Sequence, residues 1–331
     1  MTFSHLIGQE QAVELLTNAI QQQRIAPAYL FSGPEGVGRH LATLEFSTLI
    51  LSGKQAESLV RRKVQQHNHP DLLEVEPTYL HQGKRLTEAQ AEGLKRKSAP
   101  QIRVEQIREI AHFLSRPPLE ATRAVVIIRG AQLMAEAAAN ALLKTLEEPG
   151  KATIILIAPS ADALLPTLVS RCQRIPFSRL ATGELKQVLR QTDHPEIAEQ
   201  DTILAIAQGS PGEALTATNS LNDIPASLLK QLETLFNTQD KSYLEKIELA
   251  LTLAQAINQT LDFNTQLWLV NYLQQSYWNH ALATPTPLST HRGLEQLEAS
   301  RKLLLNYVQP RLVWEVTFLK MLNLSFQEIK L

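Results

Sequence analysis

One glycine-rich segment, residues 33–40, constrains the fold of this chain more strongly than any other part of the sequence. It follows an apolar run at residues 29–31 and has the spacing G-x-x-x-x-G-K-[ST], which is typical of a loop between a strand and a helix whose backbone N–H groups bind phosphate. Arg39 stands in place of the lysine, and His40 stands in place of the Ser or Thr whose hydroxyl binds Mg²⁺. The loop therefore keeps the glycine frame of a phosphate site and loses its side-chain chemistry.

The frame glycines of this loop, Gly33, Gly36 and Gly38, allow two interpretations. In the first, they form a tight turn, and the loop with Arg39 and His40 has no function as a ligand site. In the second, the loop amides and Arg39 retain affinity for a nucleotide. We favour the first interpretation, because half of the motif is missing, and we expect no cofactor.

The strand predicted over residues 124–128 ends without the acidic residue that nucleotide hydrolysis requires. This run is fully apolar and rich in β-branched residues, as in a strand that is covered on both faces. In phosphate-loop NTPases such a strand ends in an acid that holds the Mg²⁺ shell, whereas here Arg129 and Gly130 follow. A guanidinium at that place repels a metal cation. We therefore expect no ATP hydrolysis by this chain.

The composition argues against several other classes of protein. The 331 residues are 44% apolar and 20% charged with a formal net charge of −1, so the chain alone is not expected to hold nucleic acid by charge. Cys172 is the only cysteine, which excludes an internal disulfide and fits a reducing compartment. We find no apolar run of membrane-spanning length and no signal-peptide layout, so we expect a cytoplasmic protein without membrane contact.

Hydrophobic patterning divides the chain into an α/β part and an all-helical part. Up to about residue 180, short apolar runs alternate with helical patterns, which predicts a parallel sheet with helical crossovers. The strands are predicted at residues 29–31, 72–75, 124–128 and 153–157, and the helices at 37–51, 104–115 and 132–147. Further helices are predicted at residues 184–189, 201–207, 226–236, 242–257, 267–281 and 294–322, the last kinked or divided at Pro310. The polar stretches 52–70 and 80–100 are predicted as solvated loops.

Several motifs in series resemble the clamp-loader branch of the AAA+ proteins over most of the chain. They lie at residues 7–10, 69–71, 140–149, 164–172 and 209–215. Within that branch, the disabled ATP site makes the chain similar to the delta-prime family of bacterial DNA polymerase III. The resemblance implies an α/β plus all-α fold: a RecA-like AAA+ parallel-sheet domain over residues 1–178, a small helical lid domain over 179–215, and a helical collar domain over 216–331 through which loader subunits form a ring.

The motif Ser170-Arg171-Cys172 has the most specific functional meaning within this resemblance. In the family, its arginine acts in trans: it reaches the ATP held by a neighbouring subunit and stabilises charge on the γ-phosphate. The alternative is a local pairing of Arg171 with a carboxylate. Cys172 is predicted as a small buried apolar residue, because no His or Asn partner can be assigned to it.

Three departures from active relatives agree with a site that holds neither metal nor ATP. Many relatives carry a four-cysteine zinc module, whereas this chain has only His67 and His69 in that region, so no metal is predicted. ATP-hydrolysing relatives place a sensing arginine at the position of Gly212. The sensor position at residues 158–160 reads Ala-Pro-Ser, where active relatives have Thr or Asn.

Two basic residues are candidates for DNA contact on the strength of the resemblance. Lys144 lies in a helix that faces the central chamber for primer–template DNA in the family, and a phosphate contact is one interpretation. A solvated or interface-paired lysine is the other. Arg103 lies where a helix begins near the same chamber, and a helix N-terminus there can meet a phosphate.

Together these features predict a non-hydrolysing clamp-loader subunit of the replicative DNA polymerase III holoenzyme. It is not an enzyme by itself, but an accessory subunit of a DNA-directed DNA polymerase. The implied partners are the clamp-loader ATPase subunits and the clamp-opening subunit, the sliding clamp indirectly, and primer–template DNA within the assembled complex. The alternatives are an AAA+ protein that binds ATP as a sensor or hydrolyses it weakly, and an independent DNA-binding module, against which the net charge argues.

Overall fold

The structure is a computed structural model that describes residues 3, 5–53, 55–87, 89–91, 99–233, 242–283, 287–306 and 308–322, with the side chains of residues 279–292 outside this description. The chain forms two compact units. The first comprises Met1–Thr192 and Gly209–Gly212, and the second comprises Asp193–Gln208 and Glu213–Leu331. The division into three domains at residues 178 and 215 stays a prediction.

A five-stranded parallel sheet forms the centre of the first unit. The strands of the chain are β1 (Ala28–Ser32), β2 (Leu72–Val75), β3 (Tyr79–His81), β4 (Lys84–Leu86), β5 (Ala124–Ile128), β6 (Ala152–Ala158) and β7 (Gln173–Pro176). The central sheet has the order β2-β5-β6-β1-β7, and its neighbouring strands are paired in parallel. All residues of β5 and β6 are buried, as the apolar runs predict for strands covered on both faces.

Helices cover both faces of this sheet. The helices of the first unit are α1 (Glu10–Gln21), α2 (Arg39–Ser52), α3 (Glu57–Gln65), α4 (Val104–Leu114), α5 (Glu136–Glu147), α6 (Pro166–Val169) and α7 (Thr182–Leu189). One face of the sheet shares an apolar core with α4 and α5, where Ile107 and Leu142 pack with Leu156. On β1, Tyr29 meets Phe46 of α2 edge to face, with ring centroids 5.0 Å apart. The predicted parallel α/β sheet is confirmed.

Two segments predicted as solvated loops are regular elements instead. Helix α3 lies in the stretch 52–70 and buries Val60 and Val64, which are spaced by four residues and so share one face. Strand β3 begins one residue before the stretch 80–100, and β4 lies within it. The two strands pair antiparallel. Gln82 and Gly83 join them with positive φ angles of 48° and 78°, as a two-residue hairpin turn requires. Residues 88 and 92–98 of that stretch lie outside the described residues.

The second unit is helical throughout its described residues. Its helices are α8 (Asp201–Ala207), α9 (Pro211–Asp223), whose first two residues belong to the first unit, α10 (Ala226–Glu233), α11 (Tyr243–Thr260), α12 (Phe263–Ala283), α13 (Pro287–Leu305) and α14 (Pro310–Met321). Pro310 is the first residue of α14, so the predicted division of the last helix is confirmed. The indole of Trp314 is buried and donates to Gln266 Oε1 at 2.9 Å. Within the described residues, no helix is both long and apolar enough to cross a membrane.

Candidate functional site

The glycine loop begins where β1 meets the backbone of the strand beside it. Phe177 N donates to Ser32 O at 2.7 Å. A Cβ atom on Gly33 would lie 2.3 Å from Phe177 O, a distance that side-chain-bearing residues do not tolerate. Glycine at position 33 is therefore required by the close approach of two backbone segments.

The carbonyl groups of the same loop are bound by the segment Gly209–Gly212. Ser210 Oγ donates to Glu35 O at 2.8 Å, and Gly212 N donates to Gly36 O at 3.0 Å. A Cβ atom on Gly212 would lie 2.6 Å from Gly36 Cα. Any side chain at position 212 would therefore have to displace the loop.

Arg39 is buried, and its guanidinium binds a backbone carbonyl of the same chain. Its Nη1 donates to Ala158 O, at the carboxyl end of β6, at 2.5 Å. Burial lowers the pKa of this guanidinium, and the nearby carboxylate of Glu35 opposes that effect. Arg39 thus ties the glycine loop to the carboxyl end of β6.

A group of charged and titratable side chains lies near the carboxyl ends of β2 and β5, where the sequence lacks the acid that would hold Mg²⁺. Glu74, on β2, is only 13% exposed, and its carboxylate lies 2.8 Å from His67 Nδ1 and 3.9 Å from His40 Nδ1. Arg129 Nη1 lies 3.6 Å from both Glu74 Oε1 and Glu76 Oε2. Burial lowers the pKa of His40, while Glu74 opposes this shift.

Glu74 was not among the residues that sequence reasoning selected. Strand β2 is Leu-Leu-Glu-Val, and an acid inside an apolar strand is the signal that could have identified it. Its register partner is Ile127 of β5, one strand away from where an acid was sought. The guanidinium of Arg129 lies 3.6 Å from this carboxylate, and its positive charge repels a metal cation there.

The motif His69-Pro70-Asp71 organises a neighbouring turn. The buried His69 accepts a hydrogen bond at Nδ1 from Asp71 N at 3.1 Å. The carboxylate of Asp71 accepts three more, from the backbone N–H groups of Leu119, Glu120 and Ala121 at 2.6, 2.8 and 2.7 Å. Burial raises the pKa of Asp71, but these donors outweigh it and the pKa is lowered. The motif therefore has a structural role.

Arg171 lies just after α6, at the end of the sheet opposite to the glycine loop along the strand direction. Arg171 precedes β7, whereas the loop follows β1, and the two strands are parallel neighbours, so the residue and the loop lie at opposite strand ends. The guanidinium is 38% exposed; Nη2 donates to Glu147 Oε1 at 2.7 Å and Nη1 to Thr167 O at 3.1 Å. The local carboxylate pairing that was the alternative interpretation is thus present, on an exposed side chain.

The two flanking residues of the motif have local roles. Ser170 Oγ donates to Thr167 O at 3.1 Å, at the end of α6. Cys172 is half-buried and packs against the apolar core. Burial raises its pKa to about 11, so the thiol is protonated at neutral pH and is not a nucleophile.

The two candidate DNA-contacting residues lie in different environments. Lys144 is exposed on α5. Arg103 directs Nη1 to Thr78 O at 2.8 Å and to Gln101 O at 3.2 Å, which holds together the bridge between those two residues. Arg103 therefore has a structural role that sequence reasoning did not anticipate.

Comparison with known proteins decides the family. A family model described as DNA polymerase III, delta subunit, matches residues 8–181, and one described as cyanobacterial DNA polymerase III delta prime, C-terminal domain, matches residues 183–321. The chain belongs to the DNA polymerase III delta-prime family. A delta' subunit of Bacillus subtilis is 30% identical over 321 residues, covering 89% of this chain and 91% of that protein.

Two further relatives place the delta-prime chain among clamp-loader proteins. The tau subunit of Bacillus subtilis is 27% identical over 76% of this chain, which spans 43% of that longer protein. A DNA polymerase III gamma subunit-related protein of Thermotoga maritima has 18% identity and a TM-score of 0.55, covering 95% of this chain and 99% of that one. This similarity confirms the predicted AAA+ fold. Membership of the delta-prime family gives the chain a clamp-loader-related role in DNA replication.

Proposed function

We propose that this chain is a non-hydrolysing subunit that scaffolds the clamp-loader pentamer and donates Arg171 in trans to the ATP of a neighbouring ATPase subunit during sliding-clamp loading. It is an accessory subunit of the DNA polymerase III holoenzyme and not an enzyme by itself. Its partners are the loader ATPase subunits and the clamp-opening subunit, and it meets the clamp and primer–template DNA only in the assembled complex. In that complex, the exposed Lys144 contacts a DNA phosphate.

The observation that carries this proposal is the set of contacts that Arg39, Arg129 and Gly212 make at the glycine loop and beside it. Carbonyl groups of the loop are bound by the segment Gly209–Gly212, and a Cβ atom at position 212 would lie only 2.6 Å from Gly36 Cα. Arg39 is tied to Ala158 O and Arg129 is paired with Glu74. Position 39 holds no lysine, and β5 is followed by Arg129 where phosphoryl-transfer sites place an acid.

The exposure of Arg171 supports a role for it outside its own chain. A guanidinium has five N–H donors in a fixed plane, and contacts with the described residues use two of them, one to Glu147 and one to Thr167. The remaining donors suit the oxygens of a phosphate bidentately. An arginine supplied across an interface stabilises the charge that develops on a transferred phosphoryl group.

The test is Arg171→Ala in the reconstituted loader, with Arg174→Ala as the matched control. Arg174 is exposed on β7, only three residues further along the chain. We expect Arg171→Ala to lower DNA-stimulated ATP hydrolysis at the completed site by a large factor, up to the ~10³–10⁵ that such arginines supply, with assembly intact. Arg174→Ala is expected to have no such effect. Unchanged ATP hydrolysis and clamp loading in Arg171→Ala would refute the assignment.

A further inference from the structure

We infer that Glu147 is the positioning residue for Arg171, an inference that rests on the proposed trans role of that arginine. Glu147 is the last residue of α5, and its Oε1 accepts from Arg171 Nη2 at 2.7 Å. The two residues are 24 positions apart in the chain, so the contact joins two separate elements.

The two hydrogen bonds of Arg171 leave further N–H donors of its guanidinium for a ligand. Thr167 O takes one N–H of Nη1, and Glu147 takes one N–H of Nη2. Each terminal nitrogen keeps one further N–H, and Nε keeps its own. With both terminal nitrogens held, the plane of the fork is fixed before a phosphate arrives, so less side-chain freedom is lost when it binds.

Stability alone does not explain an acid at this position. Glu147 and Glu148 lie at the carboxyl end of α5, where the helix dipole disfavours negative charge. The side chains of Glu147 and Arg171 are 53% and 38% exposed, and exposed ion pairs contribute little to stability. Glu147 is thus unfavourable for its own helix, and its ion pair adds little stability. Its presence is explained by the orientation that it imposes on Arg171.

The role is one of orientation and not of charge. Glutamine at position 147 retains a side-chain oxygen that accepts the Nη2 hydrogen bond, whereas alanine removes it. If Glu147 acted by its negative charge, it would weaken the attraction of Arg171 for a phosphate, and both substitutions would raise activity. The orienting role predicts that alanine harms activity and that glutamine largely restores it.

The experiment measures DNA-stimulated ATP hydrolysis by the reconstituted loader carrying Glu147→Ala or Glu147→Gln, with Glu148→Ala as the control at the adjacent exposed acid. We expect Glu147→Ala to lower kcat about tenfold with KM for ATP unchanged, because orientation is lost and ATP binding by the neighbour is not. We expect Glu147→Gln to stay within about twofold of wild type and Glu148→Ala to match wild type. In the Arg171→Ala background, Glu147→Ala should have no further effect.

The outcomes separate this inference from the proposed function. If Arg171→Ala lowers hydrolysis but Glu147→Ala does not, the trans role stands and the positioning role is wrong. If Glu147→Ala raises kcat, or lowers it equally in the Arg171→Ala background, Glu147 does not orient Arg171. If Arg171→Ala itself has no effect, the proposed function fails and this inference fails with it. Thermal unfolding of each variant identifies a loss of activity that comes from misfolding. If Glu147→Ala is misfolded, the activity of Glu147→Gln decides whether Glu147 orients Arg171.

Discussion

At the scale of single residues, Arg39 retains the positive charge of the lysine in the motif, but its partner is the protein backbone. The guanidinium lies against Ala158 O, is buried, and has a lowered pKa because of that burial. Burying a cation is costly unless it gains hydrogen-bond partners, and the partner observed for Arg39 is a backbone carbonyl. The sequence predicted the loss of the lysine; it did not predict the new partner, which is 119 positions away.

Restoring the two motif side chains is not expected to restore chemistry. Arg39→Lys combined with His40→Thr recreates the phosphate-loop sequence, but Arg129 and the packing of Gly212 on Gly36 remain. We expect no Mg²⁺-dependent ATP turnover by the purified double variant, measured as phosphate release over hours. The wild-type chain is the control. Turnover by the wild-type chain that is abolished by changing Arg39 would contradict the account and favour a weak ATPase.

The carboxylate of Asp71 is expected to make the stability of the fold depend on pH. Its pKa is lowered in the folded state, so the stability that it contributes is present above the ordinary carboxyl value of about 3.9 and is lost as the pH falls through the lower folded value. We expect Asp71→Asn to reduce the free energy of unfolding by ~1–3 kcal/mol at neutral pH, because the amide cannot accept all three backbone N–H groups.

Urea denaturation at several pH values measures this effect, with the exposed Asp162→Asn as the control. The difference in stability between wild type and Asp71→Asn should shrink as the pH is lowered from about 7 towards about 3. A difference that is the same at both ends of this range would show that the charge of Asp71 is not what its three donors stabilise.

At the scale of secondary-structure elements, the width of the apolar face decided what could be predicted. Strands β5 and β6 are buried along their whole length and were predicted within a residue of their bounds. Strand β7 was missed because only Ile175 of its four residues is buried, and α3 was missed because its buried face consists of Val60 and Val64 alone. Such elements depend on tertiary packing more than on local pattern.

The contact between the glycine loop and Gly212 can be tested by adding one methyl group. In Gly212→Ala, the new Cβ lies 2.6 Å from Gly36 Cα and the backbone must move. We expect a loss of ~1–3 kcal/mol in the free energy of unfolding, typical of overpacking. Gly183→Ala is the matched control, since the space around that helical glycine is open, and it should be neutral or slightly stabilising. Equal stability of the two variants would mean that the loop is not held by this contact.

At the scale of the whole molecule, the parallel sheet separates the two features on which the proposed function depends. The glycine loop lies at the carboxyl end of β1, and Arg171 lies before the amino end of β7. The family resemblance made the fold and the positions of these features predictable from the sequence. The contact between the loop and Ser210 was not predictable, because Ser210 and Glu35 are 175 positions apart and no local pattern records their hydrogen bond.

The central claim is that this chain completes the ATP site of another subunit and does not use its own. The most direct measurement is DNA-dependent ATP hydrolysis by the purified partner ATPase subunits as increasing amounts of this chain are added, either as wild type or as Arg171→Ala. The account predicts no hydrolysis by the chain alone, stimulation by the wild type, and assembly without stimulation by Arg171→Ala. Equal stimulation by both chains, or ATP hydrolysis by the chain alone, would contradict it.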